Sequence, residues 1–280
     1  MNQNSYRDQE TSKVEEKKKI SKITSKDGTK IAFEKTGHGP AIILVAGALG
    51  TRSSWSELPK LLESNFTIIS YDRRGRGEST DAMPYSPARE IEDLEALIDV
   101  AGESAFLYAI SSGGALALEA ALKLGKKVEK VAVYEVPYSS DDNFSKEALE
   151  YDKQLSRLLS NGKKGEAVAL FMKFVGVPDD MIKGMQHAPM WQDLEAVAPT
   201  LAYDSAVLGA GFAMPRERLK NLDVPVLVMD GGASPEFMRK TTENLTKAFP
   251  NALHRTLRDQ THDVRPEALA PALLEFFAGT

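Results

Sequence analysis

Ser111 closes an apolar run, Ala105-Phe-Leu-Tyr-Ala-Ile110, and is followed by Ser112-Gly113-Gly114 and then by Ala115-Leu-Ala-Leu-Glu-Ala-Ala-Leu122. A strand that ends on a serine and turns through small residues into a helix is the local geometry of a nucleophile elbow. The hydroxyl is exposed on a sharp turn beside the unpaired N–H groups of the helix start. Ala109, Gly113 and Gly114 are the small residues such a turn demands, because a bulky Cβ would meet the neighbouring strand or helix. Ala109 stands where the usual Gly-x-Ser-x-Gly pattern has its first glycine. The same residues would also serve an ordinary strand-to-helix turn with a capping serine, so chemistry needs a second group. Serine is a weak nucleophile at its own pKa and needs a base that titrates near neutrality. His262, in Arg258-Asp-Gln-Thr-His262-Asp-Val264, follows the short strand expected at Leu253–Leu257, where an imidazole can reach the elbow. His38, His187 and His254 fit structural or exposed positions instead.

The chain has 280 residues, 42% of them hydrophobic, and a net charge of −5, enough for one main domain with a sizeable core and an insertion. No basic stripe supports nucleic-acid binding. Met1–Lys19 is polar and lacks the apolar core of a secretory signal, no run approaches the length of a membrane span, and the absence of cysteine excludes disulfides and thiolate metal sites. These features predict a cytoplasmic protein with no membrane or nucleic-acid partner, and none of them specifies an oligomeric state.

Positioning the serine and the histidine requires alternating strands and helices, that is, a mostly parallel sheet flanked by helices. Ile20–Ser25 and Lys30–Thr36 read as a hairpin through Asp27-Gly28. Buried strands are expected at Ala41–Val45, Phe66–Tyr71, Ala105–Ile110, Lys130–Glu135 and Pro225–Asp230, with helices at Trp55–Leu62, Ala88–Val100, Ala115–Leu124 and Pro266–Phe277. Between Pro137 and Leu222 the strand signal disappears. That stretch reads as helices at Lys146–Leu159, Lys164–Val175, Asp179–Met190 and Gln192–Leu208. The expected organisation is a flexible polar tail (1–19), an α/β core (20–136 and 223–280) and a helical cap insertion (137–222).

With these features in place the chain from Ile20 to Phe277 resembles an α/β-hydrolase with a helical cap. Four signatures stand in the family's order: Val45-Ala-Gly47-Ala-Leu-Gly50 after the third strand, Tyr71-Asp-Arg-Arg-Gly-Arg-Gly-Glu-Ser79 after the fourth, the elbow, and Gln260-Thr-His262-Asp-Val264. The resemblance implies Ser111 as nucleophile, His262 as its general base, and the backbone N–H groups of Ala48 and Ser112 as oxyanion donors. Ala46 replaces a histidine common in relatives, which leaves backbone donors intact. The resemblance also implies that the arginines of the Tyr71–Ser79 run shape a turn rather than bind phosphate.

The acid departs from the commoner family pattern, which places an aspartate three residues beyond the glycine ending the penultimate strand. That position is Ser234, which cannot be the anionic partner of an imidazole. Glu135, at the end of the preceding strand, where some relatives carry their acid, is favoured, because an acid at the end of a buried strand is costly without a partner. Asp230 is the close alternative, and Asp141 and Asp142 rank third.

A serine with a histidine and an oxyanion site suits attack on an ester, thioester or lactone through an acyl-enzyme, with no metal or cofactor. A small apolar substrate is expected between cap and sheet, against Trp55, Phe171, Met185, Trp191 and Tyr203, with Phe174, Met181, Met190 and Phe212 near them. Packing explains any one of these side chains equally well. Two other readings remain open: carbon–carbon bond hydrolysis or cofactor-free haloperoxidase-like chemistry, and a ligand-binding signalling protein with a vestigial triad.

Overall fold

The structure is a computed structural model, and it describes residues 19–139 and 141–279. The tail expected over residues 1–19 lies, Lys19 excepted, outside the described residues. The centre is an eight-stranded sheet of order β1-β2-β4-β3-β5-β6-β7-β8. β1 (Ser21–Thr24) and β2 (Lys30–Gly37) form the expected hairpin, and β2 runs antiparallel to β4. β3 (Ala41–Val45), β4 (Thr67–Tyr71), β5 (Ala105–Ile110), β6 (Val128–Tyr134), β7 (Val226–Gly231) and β8 (Ala252–Leu257) are parallel.

Strand periodicity decides which side chains meet which helices, because successive Cβ atoms point to opposite faces. Ile43, Val45, Leu107, Ala109, Val131, Val133 and Val228 face one core layer, together with Leu94 and Leu97 of α2 (Pro87–Ala101), Leu116 of α3 (Ser112–Leu124) and Leu245 of α10 (Glu236–Thr246). Their alternates Ile42, Leu44, Tyr108, Tyr134 and Leu227 face the other layer. There they meet Leu58 and Leu62 of α1 (Leu58–Leu62) and Leu269 and Leu273 of α11 (Pro266–Ala278). Both faces are covered, which is why these strands read as continuous apolar runs.

Between β6 and β7 the described chain contains helices: α4 (Asp142–Ser160), α5 (Lys164–Phe174), α6 (Asp179–Met185), α7 (Met190–Val197), α8 (Leu201–Leu208) and α9 (Arg216–Leu219). Two expected helices are broken by proline. Asp179–Met190 stops at Met185 ahead of Pro189, and Gln192–Leu208 divides into α7 and α8 at a tight turn containing Pro199, whose ring supplies no N–H. Tyr151, Leu155, Leu201 and Phe212 join the α2–α3 core layer. Val168, Met172, Ile182, Trp191 and Ala198 form a satellite cluster of their own. Helix α10 has no counterpart in the sequence reading: Glu236-Phe-Met-Arg-Lys-Thr-Thr-Glu-Asn-Leu-Thr246 is polar and mixes strong helix formers with three threonines and an asparagine, and it docks on β7 and β8. No helix among the described residues is long and apolar enough to cross a membrane.

Leu107 is fully buried in the middle of β5, whereas Leu253 on the edge strand is 62% exposed. Leu107→Ala is therefore expected to cost about 2–5 kcal/mol in urea unfolding. Leu253→Ala should stay within about 0.5 kcal/mol of wild type.

Candidate active site

The strand-to-helix turn after β5 holds Ser111 at φ 56°, ψ −133°, a conformation few L-residues adopt. It persists because the surroundings over-determine it: Ser111 N–H donates to the Tyr134 carbonyl at 2.9 Å and its own carbonyl accepts from Gly114 at 2.8 Å. The small residues are required by close approach. A Cβ on Gly113 would stand 2.6 Å from the carbonyl oxygens of Val45 and Ala46, and one on Gly47 would stand 2.9 Å from the Ser111 Cβ. The loop after β3 thus runs directly against the elbow. Among the described residues the N–H groups of Ala48 and Ser112 donate to no protein acceptor.

On the far side of β5, Glu135 follows β6 at φ 46° and is 1% exposed. Its Oε2 pairs with His262 Nδ1 at 2.8 Å, and its Oε1 accepts from the Gly231 N–H at 2.9 Å. Burial works to raise this carboxyl. His262, the Ser234 hydroxyl and the Gly231 amide outweigh it and hold Glu135 below the ordinary glutamate value. Ser234, buried at the position where the commoner pattern has an aspartate, acts on that carboxylate without a well-aligned hydrogen bond. Asp230, the alternative acid, points elsewhere: its Oδ2 lies 3.3 Å from His254 Nε2. Asp141 caps α4 by accepting from the N–H groups of Asn143 and Phe144.

The loop carrying His262 is anchored where Tyr134 Oη donates to the Thr261 carbonyl at 2.6 Å and the Ala233 N–H donates to the Gln260 carbonyl at 2.9 Å. His262 itself is half exposed. Ser111 Oγ makes no hydrogen bond to it among the described residues, and such contacts are commonly open without substrate and close when it binds.

The arginines of the Tyr71–Ser79 run are bound by protein groups. Arg74 forks onto Asp93, with both bonds at 2.8 Å, and Arg73 forks onto Glu90, with both at 2.7 Å. Glu90, Asp93, Leu94, Leu97 and Ile98 lie on one buried face of α2, so the helix brings two acids to the arginines and its apolar residues to the core. Residues 46–50 take three further guanidinium bonds. Arg73 Nη1 donates to the Ala46 carbonyl at 3.2 Å, and Arg76 Nη1 donates to the carbonyls of Gly47 at 2.5 Å and Gly50 at 3.1 Å. Asp204 of α8 accepts from Arg73 at 2.6 Å, from Arg76 at 2.8 Å and from Ser112 Oγ at 2.8 Å. Burial works against the charge on Arg73, but Glu90 and Asp204 outweigh it and raise Arg73 well above its ordinary value. Asp204, where burial is outweighed by Arg76, Arg73 and Ser112, is held low.

Asp204 is the residue that sequence reasoning missed. Its signal was an acid inside the otherwise apolar run Leu201-Ala-Tyr-Asp204-Ser-Ala-Val-Leu208, in a chain whose arginines lacked assigned partners.

Of the side chains expected against a substrate or near it, all but Met181 and Met190 are engaged in packing. Trp55 meets Tyr108 edge-on at 5.7 Å in the α1–α11 core layer, and Phe171 packs near Tyr151. Met185 and Trp191 belong to the satellite cluster, with Trp191 donating to Glu195 at 3.0 Å. Tyr203 stacks on Tyr85 at 3.7 Å and donates to Asp81 at 2.5 Å. Phe174 and Phe212 join Tyr151 in an aromatic cluster, and Met181 and Met190 are exposed. A cleft between α4 and α8, lined by Asp152, Ser156, Ser205 and Ala206 among others, is bordered by none of these side chains. Among the described residues no three histidine or acidic side chains converge as metal ligands.

An Alpha/beta hydrolase family model matches residues 42–272. The chain belongs to the α/β-hydrolase family. It is 48% identical to an alpha/beta hydrolase from Sphaerobacter thermophilus DSM 20745, covering 92% of this chain and 100% of that one with a TM-score of 0.84. Two more distant structures share the fold. A thermophilic esterase from Thermogutta terrifontis is 21% identical, covering 93% and 98% of the two chains with a TM-score of 0.72. A meta-cleavage product hydrolase, CumD, is 18% identical, covering 93% and 98% with a TM-score of 0.65.

Two outcomes follow from this α/β-hydrolase's packing and charge. Gly113→Ala should lower unfolding free energy by about 1–3 kcal/mol, because a backbone oxygen blocks the new methyl. Gly184→Ala, with nothing within 4 Å, should be neutral or stabilising by about 0.5–1 kcal/mol. Glu90, where burial is outweighed by Arg73, also has a carboxyl held below its ordinary value. A depressed folded pKa contributes stability that is present above the unfolded value, about 4.3, and is lost as pH falls below it toward the folded one. Unfolding free energy should therefore fall more steeply below about pH 4 in wild type than in Glu90→Gln.

Proposed function

We propose that this α/β-hydrolase is a serine acyl hydrolase acting on an ester, thioester or lactone of a small apolar substrate. The observation that carries this reading is the 2.8 Å His262–Glu135 pair beside an elbow serine held at φ 56°. With Nδ1 committed to Glu135, the ring presents Nε2 as the atom that exchanges protons with substrate and nucleophile.

In the first half-reaction Ser111 Oγ forms a bond to the carbonyl carbon and its proton passes to His262 Nε2. The carbonyl π electrons move onto oxygen, and the resulting oxyanion is held by the N–H groups of Ala48 and Ser112. Collapse of this intermediate breaks the bond to the leaving alcohol or thiol, which takes the proton from Nε2 and leaves an acyl-Ser111. Water, deprotonated by His262, then attacks the acyl carbon, and the second collapse returns the proton to Ser111 and releases the acid. Glu135 stays ionised throughout and stabilises the imidazolium. The low pKa direction of its carboxyl supports this role. The helices between β6 and β7 serve in this reading as a cap, and their apolar and aromatic content favours an apolar acyl or alcohol portion.

Intact-mass analysis after incubation with a small fluorophosphonate tests the reading. Wild type should gain one adduct and Ser111→Ala none. Absence of an adduct on wild type, under conditions that label a control esterase, would move the reading to a binding protein. With p-nitrophenyl butyrate, Glu135→Gln should lower kcat by about 10²–10⁴-fold, and Asp230→Asn should change it only slightly. The reverse order would transfer the acid's role. Turnover of a β-diketone without ester turnover would instead indicate carbon–carbon bond hydrolysis.

A further inference from the structure

We propose that Asp204, on helix α8 between β6 and β7, is a positioning residue for the oxyanion donors, so that a buried side chain of α8 sets the geometry of the acyl-transfer site without itself touching substrate. This rests on the acyl hydrolase reading above.

Three donors converge on the Asp204 carboxylate. Asp204 Oδ1 accepts from Arg73 Nη1 at 2.6 Å and from Ser112 Oγ at 2.8 Å, and its Oδ2 accepts from Arg76 Nη2 at 2.8 Å. Arg76 in turn donates to the Gly47 carbonyl at 2.5 Å. The C=O of Gly47 and the N–H of Ala48 belong to one planar trans peptide, in which the two groups point in opposite directions. Drawing the Gly47 oxygen inward onto Arg76 therefore turns the Ala48 N–H outward, away from the guanidinium. The neighbouring carbonyls of Ala46 and Gly50 are held by Arg73 and Arg76 in the same sense.

The second donor hangs from the same carboxylate, since Ser112, whose N–H completes the pair, is fixed to Asp204 through its hydroxyl. A carboxylate on an insertion helix thereby supports both donors. Leu49, next to Ala48, is held at φ 59° and packs against the satellite cluster formed by α5, α6 and α7, a second tie between this loop and the insertion. Donors aimed at the position of the developing charge must be fixed before the reaction, because reorienting them during it forfeits their effect. Among the described residues Asp204 is the carboxylate joined to both supports.

The test compares Asp204→Asn, Ser112→Ala and, as a control, Asp93→Asn. Asp93 forms a buried ion pair with Arg74 of the same run but bonds to neither the 46–50 loop nor Ser112. Three quantities are read: the rate of Ser111 phosphonylation by a small fluorophosphonate, whose P=O oxygen takes the oxyanion's place; kcat and KM for p-nitrophenyl butyrate; and amide hydrogen exchange over residues 45–52. Asp204→Asn should slow phosphonylation and kcat by about 10²–10³-fold with little change in KM, and should speed exchange over 45–52 while β5 stays protected. Asp93→Asn should lose stability yet keep both rates. Ser112→Ala removes one bond and leaves the guanidiniums paired, so it should slow phosphonylation by about fivefold. That variant decides the matter if Asp204→Asn does not fold. Wild-type rates and exchange in a folded Asp204→Asn, or in Ser112→Ala, would overturn the inference, as would a loss confined to KM or an equal loss of kcat in Asp93→Asn. If wild type is not phosphonylated at all, the acyl hydrolase reading falls by itself, and exchange over 45–52 still decides whether Asp204 positions the loop.

Discussion

Two guanidiniums and two carboxylates, Arg73, Arg76, Glu90 and Asp204, are buried together where the sheet, helices α2 and α3 and the inserted helix α8 meet. Burying four charges is costly, and their mutual attraction repays that cost only when every member is paired in good geometry. Here the pairing is complete. Arg73 forks onto Glu90 and reaches Asp204, Arg76 reaches Asp204 and Thr200, and Tyr85 Oη donates to Glu90 at 2.8 Å. A different seating of α8 would leave both guanidiniums without a carboxylate they now share. The cluster therefore ties α8 to one seating over the core. The loop after β3, Ser112 and α8 are all hydrogen-bonded into it.

Unusual backbone conformations gather in the same region. Leu49, in the loop after β3, and Ser111 and Glu135, directly after β5 and β6, are not glycine yet have φ of 59°, 56° and 46°. Each such conformation costs on the order of 1–3 kcal/mol, and it persists only where surrounding bonds and contacts leave no alternative. Ser111 is held by Tyr134 and Gly114, Glu135 by Gly231, His262 and the backbone bond to Met229, and Leu49 by its packing on the inserted helices. The acid's position follows the same logic. A carboxylate at the end of β6 meets the Gly231 amide and the imidazole from the loop after β8, while the loop after β7 sets an uncharged Ser234 beside it. An aspartate at position 234 would set a second negative charge against Glu135.

Much of the architecture was legible because its central strands are continuous apolar runs of strand length. β3 and β5 were placed residue for residue, and the remaining strands to within about two residues at either end. The helical character of the segment between β6 and β7 was legible because the strand signal stops there and apolar residues recur at helical spacing. Two of its helix boundaries were not, because Pro189 and Pro199 interrupt patterns that otherwise continue. Helix α10 was harder to see because its segment is polar, with three threonines and an asparagine among its helix formers, and few apolar residues mark the face that docks on β7 and β8.

At the site, residue type and order determined the chemistry that could occur: a serine on a tight turn through small residues, a late histidine, and an acid at the end of a buried strand. The pairing of His262 with Glu135 and of Asp230 with His254, rather than a competition of both acids for one imidazole, was decided by which way side chains at the ends of β6 and β7 point. Asp204 was decided there too, since 131 positions separate it from Arg73. A sequence reports local periodicity and the chemical types available. Which distant charges share one buried space depends on how whole layers pack, and in this protein that packing alone brings Asp204 beneath the loop and the elbow.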